Sequence, residues 1–138
     1  MLCEINYQNT AFQLSGVNAH INLVHSDMVS ANYNEDSNIC AITDSLKSSS
    51  TSDPALQQIK SLRNQYGADL VGVMTSNRAT SCGCGSIPTN ASWSKDTSEL
   101  AYFVATVQCA TSQYSFAHEI AHAFVSTNIL LTDCIRMY

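Results

Sequence analysis

Charge is what this sequence has least of. Asp, Glu, Lys and Arg make up 12% of its 138 residues, about half the usual share. Six basic residues against eleven acidic ones leave a formal net charge of -5. There is no basic run, which excludes a protein that tracks nucleic-acid phosphates. Long apolar runs are missing as well: none approaches the ~20 residues that cross a bilayer, so no membrane span is expected. The N-terminus shows no basic segment followed by an apolar block, so no export signal is expected in this stretch. No internal repeat is present.

Hydrophobic residues stand at 45%, enough for a buried core and against wholesale disorder. The length suits a single domain, with no room for a second. Polarity is carried by neutral groups, with 19 Ser, 11 Thr and 11 Asn, a composition common in loop-rich secreted domains. Six cysteines (Cys3, Cys40, Cys82, Cys84, Cys109 and Cys134) indicate an oxidising compartment. Cysteine content and the missing signal are reconciled if the chain begins inside a longer precursor, and that is the expectation here.

Residues 4–14 carry Ile5, Phe12 and Leu14 and end at Ser15-Gly16, which predicts a helix with a glycine stop. From Val17 to about Val29 apolar and polar residues alternate as in a half-buried strand. Residues 30–53 predict a long surface loop with one helical turn near Ile42 to Leu46. Asp53 is an N-cap with Pro54 at the first helical position, and Leu56, Ile59, Leu62 and Tyr66 form an apolar stripe that stops at Gly67. Asp69 to Met74 is a short strand, so strand, helix and strand follow in order. This sequence implies a right-handed parallel crossover in a mostly parallel sheet. Residues 75–99 predict loops around one irregular edge strand near 82–90. Leu100 to Val107 is a further strand, and Ser112 to about Ser126 a last helix. The class is α/β (α+β). Tyr102, Phe103, Phe116 and Trp93 are assigned to the core.

The last helix contains His118-Glu119-Ile120-Ala121-His122, an HExxH pattern. Positions four apart stack on one helix face, so both imidazoles can reach one zinc ion at ~2.0 to 2.1 Å while Glu119 faces an adjoining water. In that arrangement Glu119 is the general base, taking the proton of the zinc-bound water and passing it to the leaving amine of a peptide bond. A chance pattern on an ordinary helix is the competing reading. Against it, His118, Glu119 and His122 are the only ionisable groups of a helix otherwise built from Phe116, Ala117, Ile120, Ala121 and Phe124. A glutamate buried there is costly unless a cation neutralises it.

The stretch from Cys109 to His122, together with Leu62-Arg63-Asn64-Gln65-Tyr66-Gly67-Ala68-Asp69-Leu70-Val71, Ser15-Gly16-Val17-Asn18 and Leu23-Val24-His25, resembles the bacterial reprolysin-like zinc metallopeptidases of the metzincin group. The likeness covers about residues 9–124. It implies a metzincin-like twisted sheet, mostly parallel with an antiparallel edge strand, packed on two or three helices including the HExxH helix. It also implies a monomeric, secreted metalloendopeptidase with a protein or peptide substrate extended along the edge strand, where unpaired backbone groups accept a peptide of many sequences. In relatives a Cys-Gly pair ahead of the edge strand is bonded to the cysteine before the zinc helix, which implies a bridge from Cys109 to either Cys82 or Cys84.

The family pattern continues as HExxHxxGxxH, and here the chain departs from it. Val125 stands at the glycine and Asn128 at the third histidine. Without glycine the chain resists the sharp exit, often through φ > 0, that returns a third ligand to the metal. An amide oxygen is a poor zinc ligand beside imidazole. Asp133, eleven residues after His122, matches the spacing of the aspzincin ligand but nothing else of that family. His20 and His25 fall on opposite strand faces and are expected to pack or be solvated. No second glutamate follows to make a gluzincin site. Met137 falls where a methionine turn has no supporting chain. The third ligand is therefore open, with Asp133 and Asn128 the candidates, and turnover is in question. The departures at both ends lead to the expectation of a truncated or frame-shifted product. The alternative is a non-catalytic secreted remnant, or a peptide-binding module that keeps the fold.

Overall fold

The computed structural model describes residues 1–29, 38–48, 50–76, 81–86, 100–110, 112–127 and 134–137. Among the described residues the elements are, in order, α1 (Leu2–Leu14), β1 (His20–Leu23), α2 (Ile39–Lys47), α3 (Pro54–Tyr66), β2 (Val71–Thr75), β3 (Gly83–Gly85), β4 (Tyr102–Thr106), α4 (Val107–Ala110), α5 (Ser115–Thr127) and β5 (Cys134–Met137). The fold is mixed α and β. Among the described residues no helix is long and apolar enough to cross a membrane.

Local chemistry explains the best-bounded element. Asp53 Oδ1 accepts from the backbone N–H of Ala55 at 2.8 Å and of Leu56 at 3.4 Å, occupying two donors that the first turn of α3 cannot use internally. Gly67 closes the helix at φ 59, a left-handed conformation that costs glycine little. The predicted bounds of this helix coincide with the observed ones.

The sheet is built in two parts. One pairs β2 in parallel with β4 and β4 antiparallel with β3, in the order β2-β4-β3. The other pairs β1 in parallel with β5. A single parallel bridge from Leu70 to Met137 connects the two parts. The mostly parallel sheet with an antiparallel edge strand is thus present. β1 and β2 are not direct neighbours, however, because β5 lies between β1 and Leu70.

β4 is buried over its whole length. Alternate side chains of it serve two cores. Phe103 and Ala105 join Phe12, Ile21, Leu70, Phe116 and Ile120 on one face. Tyr102 and Val104 join Ile39, Ile42, Leu46, Leu56 and Ile59 on the other. A strand covered on both faces reads as a continuous apolar run, which is the character of Tyr102-Phe103-Val104-Ala105. Edge-on contact between the Phe103 and Phe116 rings, centroids 5.2 Å apart, seats α5 beneath the sheet.

Several bounds differ from the sequence reading. The first strand covers only His20–Leu23, and His25 beyond it stacks on Tyr66 with centroids 3.9 Å apart. In place of a single turn inside a loop, α2 has nine residues. Its Asn38 side chain accepts from Cys40 N–H, and Ile39, Ile42, Thr43 and Leu46 are buried, so tertiary packing extends what composition alone favours as loop. The last helix starts at Ser115 after the separate turn of α4. The tail supplies a strand, β5, in which Met137 is fully buried and accepts from Val24 N–H at 2.9 Å. Met137 is therefore a core and ladder residue. Trp93 and the 87–90 portion of the expected edge strand lie outside the described residues.

Candidate active site

The site is built on α5. Tyr114, at φ 53, leads into the helix, and its carbonyl accepts the His118 N–H at 3.0 Å. Phe116, Ile120 and Ala123 recur at helical spacing and are buried, which fixes the rotation of the helix against the sheet. That rotation brings Glu119 and His122 against β3. His118 Nε2 and His122 Nε2 approach to 2.9 Å, and their rings meet edge-on with centroids 4.5 Å apart.

Glu119 is 5% exposed, and among the described residues its Oε2 has no hydrogen-bond partner. An unsatisfied carboxylate oxygen in a protein interior is expensive. Burial pushes the Glu119 carboxyl above its usual range, with the charge of His118 opposing that shift. Burial and then His118 hold His122 below the usual histidine range, which favours the neutral imidazole that a metal ligand requires.

These residues fit a divalent ion. Two nitrogens sharing one tetrahedral zinc at ~2.0 to 2.1 Å stand ~3.3 Å apart, so the 2.9 Å separation needs only a slight opening of the two rings. The orphaned Glu119 oxygen nearby is the kind of group a cation or its water would satisfy. Among the described residues, no three His, Cys, Asp or Glu side chains converge as a metal cluster. α5 continues through Val125 to Thr127, so the chain makes no exit at the position of the family glycine. Asn128 and Asp133 lie outside the described residues. His20 is exposed on β1, and His25 is on Tyr66.

Two disulfides border the site. Cys82 is bonded to Cys109, and Cys40 to Cys84. The first joins the start of the edge strand to the segment before α5. Sequence reasoning did not find the second, which ties α2 to β3, nor the role of Thr43, whose hydroxyl donates to the Cys84 carbonyl at 3.0 Å. The alternation Cys82-Gly83-Cys84-Gly85 carried a signal for it, since period two puts the cysteines on one strand face and the glycines on the other. Cys3 is free and exposed.

Residues 2–127 match the model of metallo-peptidase family M12B, reprolysin-like. The chain belongs to this reprolysin-like metallopeptidase family. It is 36% identical over 102 residues to a peptidyl-Asp metalloendopeptidase of Stenotrophomonas maltophilia strain K279a, covering 74% of this chain and 22% of that protein. To the protein of the same name from Pseudomonas aeruginosa it is 30% identical over 128 residues, covering 86% of this chain and 20% of that one. The corresponding figures for Xanthomonas campestris are 37% over 83 residues, 60% and 18%. The chain thus spans about a fifth of the length of these curated relatives. No solved structure matches it at comparable strength.

Proposed function

We propose that this chain is a single catalytic domain of a secreted zinc metalloendopeptidase, in which His118 and His122 hold the metal and Glu119 is the general base. The observation that carries the reading is the convergence of the two imidazole nitrogens on the helix that buries Glu119, whose Oε2 has no hydrogen-bond partner among the described residues. Bound there, zinc supplies a Lewis acid that polarises a substrate carbonyl and makes a water acidic enough to be deprotonated by a carboxylate. Glu119 takes the proton as the water oxygen bonds to the carbonyl carbon, then delivers it to the amide nitrogen as the C–N bond breaks. Burial raises the Glu119 carboxyl above its usual range, the direction that helps a carboxylate take up the proton and hold it until the amide nitrogen receives it.

The substrate is a protein or peptide lying extended along β3, whose outer side has no strand neighbour among the described residues. The relatives' name makes a peptide containing aspartate the first to test. Disulfides at Cys40–Cys84 and Cys82–Cys109 support an extracellular location.

A second reading has its own observation. α5 continues through Val125 to Thr127, where the family pattern leaves the helix at a glycine, and a peptide-binding module without turnover accounts for that directly. One measurement separates the two. Zinc content and cleavage of aspartate-containing peptides are followed in the disulfide-intact protein and in Glu119→Gln. The catalytic reading expects stoichiometric zinc in both and cleavage in the parent alone. Cleavage that survives Glu119→Gln would overturn the mechanism, and a metal-free, inert parent would favour the binding module.

A further inference from the structure

The floor of the site has no side chains of its own. β3 contributes Gly83 and Gly85 to the face turned toward α5, and the space a side chain would fill is taken by Glu119. A methyl group at Gly83 would stand 2.5 Å from Glu119 Oε1, 2.7 Å from its Cγ and 2.8 Å from its Cδ. At Gly85 it would stand 2.8 Å from Glu119 Oε2 and 3.1 Å from His122 Cβ. Ordinary carbon contacts are about 3.5 to 4.0 Å, so neither position accepts a methyl unless something moves.

What could move is limited. β3 is three residues long and would be a weak edge by itself, yet it is anchored from both sides. Cys82 is bonded to Cys109 and Cys84 to Cys40. Thr43 donates to the Cys84 carbonyl, and Thr106 N–H donates to the Cys82 carbonyl at 2.9 Å. On the other side α5 is held by Phe116 and Ile120, both essentially unexposed. Two fixed backbones leave the Glu119 side chain as the group that yields.

We propose that Gly83 and Gly85 are positioning residues for Glu119: a doubly cross-linked, side-chain-free strand sets where the carboxylate sits, Gly83 acting on the carboxylate alone and Gly85 on both the carboxylate and His122. The proposal rests on the reading of Glu119 as general base for its meaning in catalysis, but its geometric content stands without turnover.

The test is a cycle in the metal-free, disulfide-intact protein, comparing parent, Gly83→Ala, Glu119→Ala and the double variant by thermal unfolding. Gly83→Ala is expected to lower Tm by roughly 3 °C or more, and by under about 1 °C when Glu119 is already Ala, because the methyl then has room. Equal losses in both backgrounds overturn the proposal. If Gly83→Ala does not fold, Gly85→Ala replaces it in the same cycle; its loss should shrink in the Glu119→Ala background but not disappear, because the contact with His122 Cβ remains, and an undiminished loss overturns the proposal. The catalytic half is read from cleavage with zinc loaded. Gly83→Ala should lower kcat at least ~10-fold while KM moves less than ~2-fold and zinc content is unchanged. In a Glu119→Asp background, one carbon shorter, the Gly83→Ala penalty should shrink. A full penalty in that background, or an unchanged kcat in Gly83→Ala, overturns the positioning role. A parent that is inert removes the general-base reading, while the unfolding cycle still decides the geometric one.

Discussion

The two walls of the candidate site are made in opposite ways. On α5, the three candidate side chains lie within five consecutive residues, and one helical turn brings His118 and His122 together whatever the rest of the fold does. Across from it, Gly83–Gly85 has almost nothing local to hold it: three residues, two of them glycine, at the edge of a sheet. Its position comes from partners far away in sequence, with bridges that span 44 and 27 residues. One wall is specified by short-range periodicity and the other by long-range cross-links. The second is therefore the more sensitive to redox state and to distant substitution.

The largest expected effect comes from removing those cross-links. In the chain-entropy picture, loops of 44 and 27 residues are worth roughly 4 and 3.5 kcal/mol. Replacing Cys40, Cys84, Cys82 and Cys109 by Ser should thus cost several kcal/mol. Hydrogen exchange should rise at the Gly83–Gly85 amides well before those of α5. If both walls exchange together, their independence is wrong.

Next in size is the packing that aims α5. Phe116 is 1% exposed and meets Phe103 edge-on, so Phe116→Ala should cost about 3 to 5 kcal/mol in denaturant unfolding. A loss under ~1 kcal/mol would show that the helix is seated by something else. Asp53→Ala, remote from both walls, should cost only about 1 kcal/mol through loss of the α3 cap, with zinc content unchanged. A drop in zinc content there would mean that α3 is coupled to the site.

The smallest effect is a pH dependence of the metal-free protein. The Glu119 carboxyl is raised from 4.5 by burial, so the folded state binds its proton more tightly than the unfolded state. That contribution to stability is complete below 4.5 and is lost as pH rises through the raised value. His122 is lowered from 6.5 and acts in the other direction, its contribution growing as pH rises toward 6.5. Replacing the buried carboxylate removes the first effect only. Glu119→Gln should therefore match the parent near pH 4 and exceed it in Tm at pH 7. No gain at pH 7 would mean that the carboxylate has found compensation.

Much of the fold was legible in the sequence. Asp53-Pro54 and Gly67 bound α3 through capping chemistry that acts within a few residues, and the parallel strands and HExxH helix were readable from their periods. α2 was legible only as one turn near Ile42 to Leu46, since the Ser- and Asn-rich residues around it favour loop and its full length depends on burying Ile39, Ile42 and Leu46 under the sheet. β5 was not legible, because four residues paired in parallel between β1 and Leu70 leave no local trace.

Spacing along a single helix was enough to bring His118 and His122 onto one face with Glu119 between them in sequence. Which cysteine joins which, how deeply Glu119 is buried and what lies against it were settled by the fold as a whole. Those properties depend on residues dozens of positions apart, and the loop-closure entropy of bringing them together is met by the core as a unit and has no signature in any one segment.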